Sequence, residues 1–170
     1  MDKMKVAIVG EVHQKGLEFL KENEFEVLEV SNFDDQILKN ELKFVDGILL
    51  RTTKLGESVL SHCTNLKIIS RHGVGYDNVD IDYLNRNKIA LGITSTSNAV
   101  SVAEHVMSFF IYLTKNLSLS DSLVKKGDFE RKSELPNFFE LFEKKVLIVG
   151  FGRIGKEVAK RCQGFDMKVY

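Results

Sequence analysis

The chain has 170 residues, 44% of them hydrophobic, which favours a folded protein of one ordinary domain or two small ones. Its 24 basic and 24 acidic residues cancel, so no overall field would attract nucleic acid or an anionic membrane surface. The most apolar run, Val106 to Leu113, is shorter than the roughly 20 residues of a spanning helix, and the amino terminus lacks a signal-peptide pattern. We therefore expect a cytoplasmic protein without nucleic acid or membrane partners.

Strand and helix patterns alternate along the first 93 residues. Short β-branched apolar runs predict strands, and apolar residues three or four apart predict helices between them. The predicted strands cover residues 5–10, 25–30, 46–50, 67–70 and 89–93, and the predicted helices cover 13–23, 34–43, 57–63 and 81–87. Five strands separated by helices predict an α/β fold, with a parallel sheet that helices cover on both faces.

A long helix is predicted next, from Asn98 to about Asn116, because apolar residues recur there at helical spacing and indicate a broad buried face. Those residues are Ala99, Val102, Ala103, Val106, Phe109, Phe110 and Leu113. Beyond the helix we predict a polar connection at 125–144, a strand at 145–149, a helix at 153–163 and the start of a strand at 167–170. The pattern predicts one domain at residues 1–97 and a second, incomplete one at 98–170, joined by the long helix.

The two cysteines, Cys63 and Cys162, lie far apart and outside any CxxC spacing. The histidines are equally scattered and form no metal-binding pattern with them. We therefore predict two reduced structural thiols and no metal site.

A G-x-G-x-x-G pattern, GFGRIG at residues 150–155, lies between a predicted strand and a predicted helix. In this context Gly150 permits a tight turn, Gly152 lets the backbone approach a pyrophosphate, and Gly155 lets helix and strand pack closely. We predict dinucleotide binding, the alternative being an ordinary strand-to-helix turn. The acidic residue that separates NAD from NADP falls about 20 residues further on, past Tyr170, so both cofactors stay open.

Two further loops follow predicted strands. Arg51 comes directly after the third strand and could bind a carboxylate through two hydrogen bonds, although a solvated surface arginine is an equal alternative. Gly73 and Gly75 follow the fourth strand and leave backbone N–H groups free to face an anion. The alternative is a glycine turn in which Asn78 or Asp80 caps the next helix, and for those two residues we prefer the capping role.

Four motifs occur in a characteristic order: RTTKLGESVL at 51–60, RHGVGYDNVD at 71–80, SNAVSVAEH at 97–105 and VGFGRIG at 149–155. Together they resemble the D-isomer-specific 2-hydroxyacid dehydrogenase family, which includes the phosphoglycerate dehydrogenases. The resemblance implies a flavodoxin-like substrate domain, the start of a Rossmann cofactor domain, and an active cleft between them. It also implies hydride transfer between NAD, or NADP, and a small 2-hydroxy or 2-keto acid, with 3-phosphoglycerate as one candidate, in a homodimer.

The resemblance also implies site residues. Arg51 and Thr52 would lie on the substrate-facing loop, with Val74 and Gly75 near the substrate carboxylate. The implied cofactor-binding residues are Val74, Val102, Gly150, Gly152, Arg153, Ile154 and Gly155. The family's catalytic arginine, glutamate and histidine would lie beyond Tyr170, so no catalytic residue is predicted here and we expect a fragment.

Four further residues, Glu104, His105, Ser95 and Glu143, bear on structure more than on chemistry. Glu104 and His105 are neighbours on a helix and so point in different directions, which favours structural roles over an acid–base pair. Ser95 replaces a proline and Glu143 a glycine that are usual in the family, which indicates a diverged member. Two other functions stay open. One is a non-catalytic module that binds a small carboxylate or a partner, and the other is a formate dehydrogenase or transcriptional corepressor, since both share this architecture.

Overall fold

The amino-terminal half of the chain is built on a parallel β-sheet. A computed structural model describes residues 3–170, apart from the side chains of residues 129, 132 and 134, and the chain divides into two units, Met1–Ser97 and Asn98–Tyr170. The strands of the first unit are β1 (Lys5–Val9), β2 (Glu26–Val30), β3 (Gly47–Leu50), β4 (Ile68–Arg71) and β5 (Ala90–Ile93). They pair in parallel in the order β2-β1-β3-β4-β5, a flavodoxin-like order that confirms the predicted α/β fold.

Helices connect successive strands of this sheet. They are α1 (Gln14–Glu22), α2 (Asp35–Glu41), α3 (Glu57–Leu60) and α4 (Ile81–Asn87). The side chain of Asp80 accepts a hydrogen bond from the backbone N–H of Tyr83 at 2.9 Å, so Asp80 has the predicted capping role on α4. Helix α3 is shorter than predicted, because the chain turns after Leu60 and the backbone N–H of Cys63 donates to the Leu60 carbonyl at 3.0 Å.

The main hydrophobic core lies on one face of the sheet. Its buried residues include Ala7, Val9, Ile48, Leu50 and Ile69 on the strands, and Leu38, Leu42, Val59, Leu60 and Leu84 on or beside α2, α3 and α4. Right-handed crossovers leave α1 alone on the opposite face, since only the connection from β1 to β2 runs in the reverse direction along the sheet. The prediction that helices cover both faces of the sheet therefore holds only in part. On the face that carries α1, Ile68 of β4 is 44% exposed.

Asp46 links three strands near their amino-terminal ends. One carboxylate oxygen accepts a hydrogen bond from the Nζ of Lys67 at 2.8 Å, and the other accepts one from the backbone N–H of Lys5 at 2.9 Å. The hydrogen bond from Lys67, followed by that from Lys5, lowers the pKa of the Asp46 carboxyl group below its ordinary value. The charged carboxylate therefore helps to hold the starts of β1, β3 and β4 in register.

The second unit contains four helical segments, one of them a 3₁₀ helix, and two short strands. They are α5 (Ala99–Thr114), α6 (Leu117–Lys126), the 3₁₀ helix (Phe129–Glu134), β6 (Lys145–Val146), α7 (Arg153–Gly164) and β7 (Lys168–Val169). Its core forms where α5 packs on α7, and the Sγ of Cys162 lies 3.9 Å from the Sδ of Met107. No helix in residues 3–170 is both long and apolar enough to span a membrane.

Two predictions about the long helix and its surroundings are wrong. Phe109 and Leu113, which the spacing placed on a buried face, are 53% and 67% exposed, whereas Met107 is buried. Helix α6 and the 3₁₀ helix fall where no helix was predicted. None of the residues of α6 is buried, so that helix has no core-facing pattern that periodicity could detect.

Strands β6 and β7 form a two-stranded parallel ladder. Val149, just beyond β6, is 92% exposed, as expected for a poorly covered strand end. Ile148 differs, because it packs against the core between α5 and α7.

Glu143 occupies a backbone conformation that favours glycine. Its φ is +57°, in the left-handed region, and its backbone N–H donates to the carbonyl of Asp166 at 3.0 Å. This geometry explains why a glycine would suit the position. The exposed carboxylate pairs with Lys168 at 3.7 Å, a contact that contributes little to stability.

We predict that Asp46→Asn lowers the free energy of unfolding by about 0.5–1 kcal/mol at pH 7, because it removes the charge from two hydrogen bonds. A carboxyl group whose folded pKa is depressed stabilises the protein above its unfolded pKa of about 3.9, and this contribution is lost as pH falls through the folded pKa. In urea denaturation, the difference in free energy of unfolding between the parent protein and Asp46→Asn should therefore be smaller at pH 3 than at pH 7. Asp121→Asn is the control, since its ion pair with Lys125 lies within α6. An equal effect of both substitutions would contradict the role of Asp46.

We also predict that Glu143→Gly raises the free energy of unfolding by about 1 kcal/mol, because glycine adopts a positive φ without steric cost. Far-UV circular dichroism suits the denaturation, since the chain has no tryptophan. Glu140→Gly, in the same exposed segment but without a positive φ, should bring no gain. A Glu143→Gly protein no more stable than the parent would show that the backbone at this position carries no strain.

Candidate functional site

The first candidate site lies at the carboxyl ends of β1, β3 and β4. The backbone N–H of Arg51 donates to the carbonyl of Val9 at 3.0 Å, which extends the β1–β3 pairing to the start of the loop. The exposed guanidinium donates through Nη1 to the carbonyl of Glu11 at 3.2 Å. Arg51 therefore leans over the loop after β1, with further N–H groups able to bind an anion.

The glycine loop after β4 is held by backbone hydrogen bonds to its neighbours. The N–H of His72 donates to the carbonyl of Leu50 at 2.7 Å, and the N–H of Thr94 donates to the carbonyl of Gly73 at 3.1 Å. A Cβ on Gly73 would overlap the guanidinium of Arg71, so a side chain there would displace that group. Val74 is half-buried and Gly75 is exposed, which places the predicted substrate-binding backbone at the surface of the first unit.

Asn78 connects the two loops. Its side-chain amide donates to the carbonyl of Thr53 at 2.8 Å and to that of Arg51 at 3.4 Å. The backbone carbonyl of Asn78 accepts a hydrogen bond from the N–H of Leu55 at 2.8 Å. Of the two residues predicted as candidates for the cap, Asp80 has that role, and Asn78 instead fixes the spacing between the arginine loop and the glycine loop after β4. Only tertiary proximity reveals this role, since 25 residues separate Thr53 from Asn78.

Two buried polar atoms flank the glycine loop without a partner among the described residues. They are the Nε of Arg71, at the end of β4, and the Oγ1 of Thr94, just after β5. Strands β4 and β5 are paired, with Arg71 opposite Ile93, the residue before Thr94. Buried polar groups normally form hydrogen bonds, so this edge of the sheet retains capacity to bind a polar ligand.

A cavity of about 680 Å³ lies on the other side of Arg51 from the glycine loop. Arg51 and Thr52 form part of its wall, together with Gly10 and Ser31, the residues that follow β1 and β2. In this strand order the direction of the connections reverses between β1 and β3, and such a switch point is where open α/β sheets bind ligands. The cavity volume is within the ordinary range of small-molecule sites.

The second candidate site is the glycine loop between β6 and α7. Gly150 has φ +97°, which permits the turn out of the strand. A Cβ on Gly155 would overlap the carbonyl oxygen of Gly150, whereas a Cβ on Gly152 would meet nothing within 4 Å. The third glycine is therefore required for close packing, and the second leaves open space above the backbone, as a pyrophosphate site needs.

Helix α7 supplies the electrostatics of that loop. It begins at Arg153, has no side-chain cap at Gly152, and leaves backbone N–H groups of its first turn free to bind an anion. Arg153 and Ile154 are exposed, and Ile154 lies within this first turn. Val102, on α5 in the same unit, is half-buried.

Glu104 and His105 make separate contacts. Glu104 pairs with Arg161 of α7 at 3.3 Å, which joins α5 to the helix behind the glycine loop. The ring of His105 lies edge-on to Phe109, with 4.3 Å between centroids. These contacts support the predicted structural roles.

The cysteines and the possible metal ligands of the described residues are further candidates for a site. Cys63 and Cys162 are free and buried, and burial raises the pKa of the Cys63 thiol to about 11. Within the described part of the chain, no three His, Cys, Asp or Glu side chains come together as a metal site would require.

Comparisons with known proteins identify relatives over nearly the whole chain. The chain is 32% identical over 167 residues to D-3-phosphoglycerate dehydrogenase of Archaeoglobus fulgidus, covering 98% of this chain and 31% of that protein. It is 31% identical over 177 residues to glyoxylate reductase of Pyrococcus furiosus, covering 98% and 52%. The solved structure of D-lactate dehydrogenase from Aquifex aeolicus, complexed with NAD and lactic acid, matches with TM-score 0.83 and 30% identity, covering 97% and 50%.

The chain thus spans 31% to 52% of the length of these relatives. A family model for the D-isomer specific 2-hydroxyacid dehydrogenase catalytic domain matches residues 6–165. This match contains the loops at 51–53 and 73–75 and the glycine loop at 150–155, all three at strand ends. The chain belongs to the D-isomer specific 2-hydroxyacid dehydrogenase family.

Proposed function

We propose that this chain supplies the substrate loops and the phosphate loop of an NAD-dependent oxidoreductase that transfers hydride between the nicotinamide and a small 2-hydroxy or 2-keto acid. The observation that carries the proposal is the geometry of the glycine loop at residues 150–155, directly before a helix of 12 residues. This loop has no space for a side chain at Gly155 but has open space at Gly152. An ordinary turn needs no such difference between its glycines. NADP stays open as the cofactor, and 3-phosphoglycerate is one candidate substrate.

The dinucleotide would bind along the second unit. Backbone N–H groups of Arg153, Ile154 and Gly155 would bind the pyrophosphate, with Gly150 shaping the turn and Gly152 leaving room. When bound, the nicotinamide supplies or accepts the hydride. Val74 and Val102 stay proposed cofactor-binding residues, as the resemblance to the family implies.

The substrate would bind at the first unit. Arg51 offers a guanidinium, Thr52 offers a hydroxyl, and the backbone of Val74 and Gly75 offers N–H groups. Together these groups suit a carboxylate next to a hydroxyl or carbonyl. Asn78 maintains their spacing through its hydrogen bonds to the arginine loop. These groups bind and orient the substrate. The proton that accompanies hydride transfer is assigned to none of them, and a homodimeric, cytoplasmic protein stays a prediction.

Substrate binding can be tested by NMR on the 170-residue chain, with pyruvate as the probe. We expect the amide signals of residues 73–75 to shift, and Arg51→Gln to weaken binding about tenfold, because a hydrogen bond to a charged group contributes about 1.5–3 kcal/mol. Arg86→Gln, on exposed α4, should leave the affinity unchanged. If pyruvate shifts no amide in this loop, the proposed substrate site is wrong.

Catalysis needs a separate test, because the relatives are longer than this chain. Joining residues 1–170 to the remaining part of the Pyrococcus glyoxylate reductase should give a protein that oxidises NADH in the presence of a 2-keto acid. Binding without turnover, in a chimera that is folded by circular dichroism, would favour a non-catalytic carboxylate-binding module.

The glycine loop at residues 150–155 predicts different effects on stability for two alanine substitutions. Gly155→Ala should lower the free energy of unfolding of the second unit by about 2 kcal/mol, because its methyl group overlaps backbone. Gly152→Ala should change stability by less than about 0.5 kcal/mol, since its methyl group meets open space. With millimolar NADH, however, Gly152→Ala should reduce the NMR shifts of residues 150–155. Equal stability of the two variants would contradict this geometry.

A further inference from the structure

The cavity beside Arg51 extends away from the proposed carboxylate site. In the sheet, β4 neighbours β3, β3 neighbours β1, and β1 neighbours β2. Neighbouring strands lie about 4.8 Å apart, so the ends of β4 and β1 are about 10 Å apart. A substrate with its carboxylate at Arg51 and the glycine loop after β4 would therefore extend its distal carbon chain into the cavity.

Most of the cavity wall is apolar. Ile8 is buried on β1, Val12 and Leu17 are half-buried where α1 begins, and Phe33 on the loop before α2 is 45% exposed. An occupant with an apolar chain would cover Phe33 and remove further apolar surface from water. Each methylene buried in this way contributes about a threefold to fourfold gain in affinity.

The charges of the cavity wall also favour an uncharged occupant. Glu11 and Glu29 both line the cavity and are exposed, and Arg51 is the one basic residue among the lining residues of the described chain. When Arg51 pairs with the substrate carboxylate, two negative charges remain beside the distal chain. A second anionic group there would be repelled, and each like charge about 6 Å away costs about threefold in affinity even at the dielectric constant of water.

We propose that this cavity is the specificity pocket for the distal part of the substrate, and that it selects 2-hydroxy or 2-keto acids with an uncharged, apolar side chain. The proposal rests on the proposed function, in which Arg51 and the glycine loop hold the carboxylate. It disfavours 3-phosphoglycerate, because the phosphate would enter a wall that carries two carboxylates. The selectivity comes from the loops after β1 and β2, which no motif of the sequence marks.

Two ligands of equal chain length test the selection. 2-Oxohexanoate ends in a methyl group and 2-oxoadipate ends in a carboxylate. In NMR titrations of the 170-residue chain at low salt, we expect 2-oxohexanoate to bind at least about tenfold more tightly, with shifts at Val12, Leu17 and Phe33. Equal or tighter binding of 2-oxoadipate would overturn the proposal.

Charge-neutral variants identify the cause. Glu11→Gln combined with Glu29→Gln should strengthen 2-oxoadipate binding about threefold to tenfold and leave 2-oxohexanoate within about twofold. Glu18→Gln, on exposed α1 outside the cavity wall, is the matched control and should change neither affinity. If the double variant behaves like the control, the carboxylates do not set the selectivity and the proposal is wrong.

Glyoxylate, which has no distal chain, separates this proposal from the proposed function. It should shift the amides of residues 73–75 without shifting Val12, Leu17 or Phe33. If no 2-keto acid shifts residues 73–75, the proposed function fails. If all of them do but 2-oxohexanoate leaves the cavity residues unshifted, only the specificity pocket fails.

Discussion

The parallel register of β1, β3 and β4 is the constraint on which the first unit's site depends. Val9 lies opposite Leu50, and Leu50 lies opposite Arg71, so these three strands end at the same level. The loops that begin at Gly10, Arg51 and His72 are distant in the chain and yet start within two strand spacings of one another. Buried aliphatic side chains of the strands permit no shift of register, because a shift by one residue would exchange the buried and exposed faces.

Backbone groups form much of the candidate site in each unit. In the first unit, the glycine loop is positioned by hydrogen bonds to β3 and to the residue after β5. In the second, the carbonyl of Gly150 is so close to Gly155 that only hydrogen fits between them. Main-chain N–H groups held in this way lose little entropy when an anion binds, which is why rigid loops at strand ends suit phosphates and carboxylates.

Family membership and substrate choice depend on different parts of the first unit. The family match includes the loops at 51–53 and 73–75, which we propose to hold what the family's substrates share, a carboxylate next to a hydroxyl or carbonyl carbon. The distal chain is what distinguishes those substrates, and it would meet the loops after β1 and β2, where Glu11, Glu29 and Phe33 lie. A change of a few side chains there would alter selectivity without disturbing the register of the sheet.

The sequence by itself determined the strands and helices of the first unit, its parallel fold and the two kinds of glycine loop, because strand periodicity, capping by Asp80 and the G-x-G-x-x-G pattern are local signals. Only the tertiary structure decided which surfaces are covered. Phe109 and Leu113 are exposed on a helix whose pattern predicted burial, since burial depends on what packs against each face. The bridging role of Asn78 and the acidic, apolar cavity beside Arg51 likewise arise from residues distant in the chain, whose approach no local pattern records.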